Sequence, residues 1–107
     1  MIRVDKLVVH PPAKEAQARR VGARNGNQWC HLFCDTPAEL DRLHDVAAMA
    51  GLRRSWFQAS PPASMPHYDL TPSRRAEALR FGAVEGDRYQ LVAAMKLWRA
   101  HLKGVAP

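Results

Sequence analysis

Hydrophobic and polar positions alternate or recur with a period of three to four along most of the chain. Residues 2–9, Ile2-Arg3-Val4-Asp5-Lys6-Leu7-Val8-Val9, are rich in β-branched side chains and predict a strand. His10-Pro11-Pro12 ends it. Residues 11–28 lack an apolar stripe. Turn residues Gly22, Asn25, Gly26 and Asn27 predict a long loop there, with one helical turn near Ala13–Ala18. Trp29–Asp35 predicts a second strand, with Cys30, Leu32 and Cys34 on one face and Trp29, His31, Phe33 and Asp35 on the other.

Thr36-Pro37-Ala38-Glu39 is a helix start: a capping Thr, a Pro at the first position and a Glu three residues after the cap. Leu40, Leu43, Ala47 and Ala50 follow as a core stripe, and Gly51 ends the helix. Ser55-Trp56-Phe57-Gln58 predicts the next strand, which gives a βαβ unit. A Pro-rich loop over 60–66 leads to His67-Tyr68-Asp69-Leu70. Thr71-Pro72 opens a second helix with Ala76, Leu79 and Ala83 on one stripe and Gly82 as its stop, and Val84 can begin a short strand. A third helix, about 88–103, carries Leu91, Met95, Trp98 and Leu102 on an apolar stripe and Lys96, Arg99 and Lys103 on a basic one. The expected fold is a small single-domain α/β protein of three to four strands and three helices over residues 1–107, with a βαβ-type core and a C-terminal amphipathic helix.

Composition narrows the class. No apolar run reaches the roughly 18–20 residues that span a bilayer, and the N-terminal segment lacks the apolar run of a signal peptide. No membrane partner and a cytoplasmic setting are therefore expected. Cys30 and Cys34, four apart on a strand, lie about 13 Å from each other, too far for a disulfide. They read as core thiols. The net charge is +6, distributed as +3 over residues 1–35, −1 over 36–70 and +4 over 71–107. Such a surface attracts polyanions, nucleic acid first, although it also serves solubility.

Three groups of residues could carry chemistry. The first is Ser73-Arg74-Arg75, where two arginines occupy a first helical turn whose dipole disfavours cations. A bound phosphate would explain them, and so would neighbouring carboxylates. The second is His31, His67 and Asp69, as acid–base groups or ligands, with Asp5 and Asp35 as further candidate ligands for a divalent metal. Here the plainer readings are a satisfied core histidine at His31 and a helix-start acid at Asp35. The third is an aromatic set, Trp29, Trp56, Phe57 and Tyr68, near Arg53 and Arg54, which suits either base stacking or core packing. Arg19, Arg20 and Arg24 in the first loop and Lys96, Arg99 and Lys103 on the last helix are candidate nucleic-acid contacts. Phosphate-binding loops, dinucleotide fingerprints, nucleophile elbows and HExxH are absent.

The strings Val4-Asp5, His31-Leu32 with Asp35, Glu39-Leu40, Phe57-Gln58, His67-Tyr68-Asp69, Arg74-Arg75 and Gly82-Ala83 resemble a bacterial and bacteriophage family known as domain of unknown function 4031. The resemblance covers residues 2–92 or so. Many members follow Val-Asp with a second Asp, where this chain has Lys6, and the residues after Pro62 look like an insertion. The resemblance implies an intact fold and supports the polar residues above, without an activity. Three functional readings follow: a nucleic-acid or nucleotide-phosphate binding module, a metal-dependent phosphoester or nucleotide hydrolase, and a phage accessory factor with a protein partner or a homodimer through Trp98 and Leu102 of the last helix.

Overall fold

The strongest alternating segment becomes the central strand of the sheet. The computed structural model describes residues 1–60 and 63–104, so Pro61 and Pro62 of the Pro-rich loop lie outside the described residues. The elements are β1 (Ile2–Val4), β2 (Val8–Val9), α1 (Ala16–Arg24), β3 (Gln28–Cys34), α2 (Leu40–Met49), β4 (Tyr68–Leu70), α3 (Pro72–Arg80), β5 (Val84–Glu85) and α4 (Arg88–Leu102). Single 3-10 turns occupy Pro37–Glu39 and Arg54–Trp56. β3 pairs antiparallel with β1, β2 and β4, and β1 pairs parallel with β5. The α/β class holds, with five strands and four helices among the described residues.

Register explains which side chains meet. Cys30 faces Leu70 and Leu32 faces Tyr68 across β3 and β4, so these four share one side of the sheet. All are buried, together with Leu43, Val46 and Ala47 of α2 and Ala78 of α3. Cys30 and Cys34 are free thiols in this core, and burial pushes them up to about 12 and about 11. They are inert packing residues at neutral pH.

Four expectations need correction. The predicted strand over 2–9 is broken: Val4 pairs with Leu32 and Val8 with Trp29, so three residues of the first strand oppose two of β3. This is a β-bulge at Asp5-Lys6-Leu7. The predicted loop over 11–28 contains α1. Glu15 caps that helix by accepting the N–H groups of Gln17 (3.0 Å) and Ala18 (2.8 Å), and Asn25 closes it by donating to the Val21 carbonyl (2.8 Å). Its inward face is only Ala18, Val21 and Gly22, too small an apolar stripe to stand out among the arginines, although Ala, Gln and Arg are good helix formers. Residues 55–58 do not form a strand. The chain makes a 3-10 turn, and only Gln58 pairs, in an isolated antiparallel bridge with His67. The strand that follows α2 is therefore β4, and it runs antiparallel to β3 rather than as the second strand of a βαβ unit. On α3, Ala76 is exposed, and Ala78 takes its place in the core.

Helix ends match the sequence closely. Glu39 reaches back to accept the Thr36 backbone N–H (3.2 Å), and Asp87 and Gln90 form a reciprocal capping box at α4. At the end of α2, the Gly51 N–H donates to the Ala48 carbonyl and the Leu52 N–H to that of Ala47 (3.0 and 2.9 Å), a Schellman closure with Gly51 at φ +84°. The Arg74 guanidinium then donates to the Ala50 carbonyl (3.1 Å). A Cβ on Gly51 would collide with that guanidinium. Gly51→Ala is expected to lower stability by about 1–3 kcal/mol in urea unfolding, from strained backbone plus displacement of Arg74. An unchanged midpoint would contradict this closure.

Candidate metal centre

The sheet side away from α2 and α3 carries a polar cluster. His31 and Asp69 are direct cross-strand partners, and such pairs have neighbouring Cβ atoms. His67 lies two residues before Asp69 and is held opposite Gln58 by mutual backbone hydrogen bonds of 2.9 and 3.1 Å. One ligand atom from each of His31, His67 and Asp69 lies within 4.8 Å of the others. The His31 and His67 rings meet edge to face at 5.0 Å. The structure thus brings together the three residues that the sequence singled out as catalytic.

The bulge positions a fourth. It turns Asp5 onto His31: one carboxylate oxygen accepts the His31 backbone N–H (2.6 Å), and the other meets ring Nδ1 (2.6 Å). An ionised carboxylate only accepts, so His31 Nδ1 carries the proton and Nε2 is left free. His67 Nδ1 lies 2.9 Å from the Met65 carbonyl. A carbonyl also only accepts, so Nδ1 again holds the proton and Nε2 is free. His67 Nε2 lies 3.4 Å from Asp69 Oδ1, and Asp69 Oδ2 accepts from the Gln58 amide at 2.6 Å. Two imidazoles whose other nitrogens are anchored on a carboxylate and a carbonyl, beside an anchored carboxylate, reproduce the outer support that metal-binding histidines have. The 3.4 Å separation is also about the ligand spacing of a tetrahedral ion with bonds near 2.0–2.2 Å.

Electrostatics follows this geometry. The Asp5 hydrogen bond, larger than the opposing effect of burial, raises the His31 pKa above the ordinary histidine value. Burial disfavours charge on Asp69, but the His67 ring in its protonated form, which then donates from Nε2, the Gln58 amide and His31 together outweigh it and hold the carboxyl below its usual value. The cluster forms part of a cleft of about 390 Å³, lined also by His10, Pro11, Ala13, Ala18 and Trp29. Trp29 packs beneath α1 at Gly22, where a Cβ would crowd the indole and the Asn27 side chain.

Other candidates fall elsewhere. Asp35 is bonded to Arg3 (2.7 Å) and lies four residues along β3 from His31, so it is not a ligand of this cluster. Asp5 contacts the cluster through His31 rather than from within it. Arg74 caps α2, and Arg75 donates to the Asp5 carbonyl (2.9 Å) and pairs with Glu85 (3.3 Å). Protein acceptors therefore account for both first-turn arginines without a phosphate, and Ser73 is exposed beside them. Lys6 lines a separate cleft with Leu7, Arg75, Glu85 and Gly86. Arg19, Arg20 and Arg24 are exposed on α1, and Lys96, Arg99 and Lys103 are exposed at α4 and its C-terminal cap. Trp98 is buried in this chain's own core, whereas Leu102 is exposed. Among the described residues, no helix is long and apolar enough to cross a membrane. Two residues of the cleft carry no functional motif in the sequence: Gln58 lies in the predicted strand 55–58 yet its amide donates to Asp69, and His10 stands before two prolines yet lines the cleft.

The family model described as "Protein of unknown function (DUF4031)" matches residues 16–97. The chain belongs to this family. The match takes in His31, His67, Asp69 and Gln58 and begins after Asp5 and His10. No curated protein and no solved structure matches the chain.

Asp5→Asn is expected to lower the His31 pKa, read by NMR titration of the ring. Because the folded value is raised, the pair's stabilisation is fully present below the ordinary histidine pKa and is lost as pH rises through the raised one. The variant should therefore lose stability mainly at acid to neutral pH. A His31 pKa unaltered by the substitution would contradict the assigned pair.

Proposed function

We propose that the chain binds one divalent first-row metal ion, zinc by preference, through His31 Nε2, His67 Nε2 and Asp69, and uses it to hydrolyse a phosphoester. The observation that carries this reading is the pair of anchored Nδ1 atoms, which leave two bare Nε2 atoms beside one carboxylate. Two nitrogens and one oxygen suit zinc, and three protein ligands leave a position for water or substrate, as in catalytic rather than structural sites. A bound ion of this kind supplies Lewis acidity, polarising a phosphoryl oxygen and lowering the pKa of a water.

The chain's own residues supply the rest. Asp5 fixes the His31 tautomer and raises its basicity, and Gln58 fixes the rotamer of Asp69. His10 stands in the same cleft as a group able to hold or give a proton. In the reaction, a water oxygen bonds to phosphorus, the ester P–O bond breaks, and the water's proton goes to the departing alkoxide. No oxidant or reductant is required. A phosphoester is favoured over other esters by the basic surface, with its net +6 charge.

Calorimetry of metal-free protein with zinc should show one site. His67→Ala should abolish that binding while leaving the circular dichroism spectrum unchanged. Affinity should fall by about tenfold per pH unit for each proton displaced once pH drops below the raised His31 pKa. Asp5→Asn should weaken binding by about 10–100-fold at alkaline pH above the raised His31 pKa, where protonation no longer competes. Release of nitrophenol from bis(p-nitrophenyl) phosphate should require zinc and be lost in His67→Ala. Stoichiometric zinc binding that survives His67→Ala would overturn the assignment.

A further inference from the structure

A centre that cleaves a phosphoester must also hold the remainder of its substrate, and the cleft around this one has an aromatic wall. Trp29 lies two residues before His31 on β3, on the same side of the sheet, and both line the cleft. Two residues of extended chain span about 7 Å at most, so the two backbones lie within that distance. The tryptophan is half-buried and stands outside the apolar core. α1 holds it in place. A Cβ on Gly22 would stand 3.4 Å from the indole Nε1 and 2.7 Å from the Asn27 side-chain oxygen. A glycine inside a helix costs roughly 0.5–1 kcal/mol relative to alanine, and here its bare Cα lets α1 settle on the indole. The ring is thus a fixed surface, and a rigid platform loses little freedom when a ligand meets it.

The cleft continues past this ring. Val8 is the cross-strand partner of Trp29. His10 follows two residues later, and its backbone N–H donates to the Asn27 carbonyl (2.9 Å). Along this strand pair the order is His10 opposite Asn27, then Trp29, then His31 beside Asp69. The aromatic residue therefore stands between a polar residue and the metal ligands, all in one cleft. Its volume, about 390 Å³, lies at the small end of the roughly 300–1,000 Å³ of small-molecule sites. A flat group on Trp29 and a phosphate at His31 need a spacer between them, because the two residues are not adjacent. Ala18 of α1 also lines the cleft. Among the described residues, Arg19 and Arg20 after it have no carboxylate within 4.0 Å, so the helix beside the cleft attracts anions.

We propose that the cleft binds a nucleoside phosphate, with its base stacked on Trp29, His10 at the edge of the base and its phosphate at His31, His67 and Asp69. Stacking on an aromatic side chain is open to every base, and the sugar is the spacer. This deepens the hydrolytic reading and rests on it for the cleavage step, in which a nucleoside phosphodiester and one water give a nucleoside monophosphate and a hydroxyl compound. An aryl phosphate lacks the spacer, and a sugar phosphate lacks the flat group. A free nucleotide and the end of a single strand share the recognition chemistry. A duplex keeps its base faces inside the stack and cannot use the tryptophan.

The test is calorimetry on the full chain, with zinc and without it, using adenosine monophosphate, ribose 5-phosphate and phenyl phosphate. Adenosine monophosphate should bind at least about tenfold tighter than either of the others. Trp29→Leu should cost about tenfold in adenosine monophosphate affinity and leave ribose 5-phosphate binding within about twofold, while Trp29→Phe should keep most of the wild-type affinity. Equal binding of the nucleotide and ribose 5-phosphate by the wild type, a comparison that needs no variant, would overturn the proposal. So would a Trp29→Leu variant that weakens both ligands alike, the mark of a purely structural tryptophan, and so would tighter binding of phenyl phosphate. Zinc binding without any preference for the nucleotide would refute the base platform and leave the metal centre standing. A preference that depends on Trp29 in a chain that binds no zinc would uphold the platform and refute the hydrolytic step. Displacement of adenosine monophosphate by a short single strand with a terminal phosphate would uphold the site and name strand ends as its source of ligand; no displacement would uphold it for free nucleotides.

Discussion

The contact between Asp5 and His31 ties the first strand pair to the polar cluster. One side chain satisfies both the backbone N–H and the ring Nδ1 of His31. It can do so because an extra residue in the first strand breaks the regular ladder there. In a straight strand Asp5 would follow strict alternation, on the face of Arg3 and Leu7. The bulge releases it from that alternation and aims it across at β3, a use of bulges that recurs next to functional sites. Arg75 secures the same place from α3 by donating to the Asp5 carbonyl. The tautomer of one ring, the path of the first strand and the start of α3 are thus coupled through a single residue.

Charge is divided by function in this chain. Arg3, Arg74 and Arg75 are spent on protein acceptors: Asp35, the last carbonyls of α2, and the Asp5 backbone with Glu85. Arg74 illustrates why first-turn arginines persist here. The unfavourable dipole at the start of α3 is offset by a favourable one at the end of α2, where carbonyls lack partners. Among the described residues the arginines of α1 have no carboxylate within 4.0 Å, so part of the surplus positive charge lies on the helix beside the cleft as well as on α4.

Much of the fold could be read from sequence because local rules agreed with tertiary ones. The Thr36-Pro37-Ala38-Glu39 start, the glycine stop at Gly51, the alternation of Cys30, Leu32 and Cys34 and the extent of α4 all follow from capping, turn and period-two chemistry. Other features depend on contacts that local patterns do not encode. α1 has only a short stripe of small residues, Ala18, Val21 and Gly22, on its inward side. Gln58 belongs with Asp69 only after the chain has turned and bridged to His67. His31, His67 and Asp69 were visible as residue types, but Asp35 could be told apart from Asp5 only by the bulge, since either acid is compatible with a strand near His31. The relevant signal is the mismatch between an eight-residue segment rich in β-branched residues and the acid Asp5 in its middle.

The account stands on both histidines presenting a bare Nε2 to Asp69. Long-range proton–nitrogen NMR correlation of the metal-free protein at alkaline pH, where the rings are neutral, reads this directly. Both His31 and His67 should carry their proton on Nδ1, against the usual preference of a solvated imidazole for Nε2–H. An Nε2–H form at either ring would mean that its anchoring hydrogen bond is not made, and would contradict the metal centre.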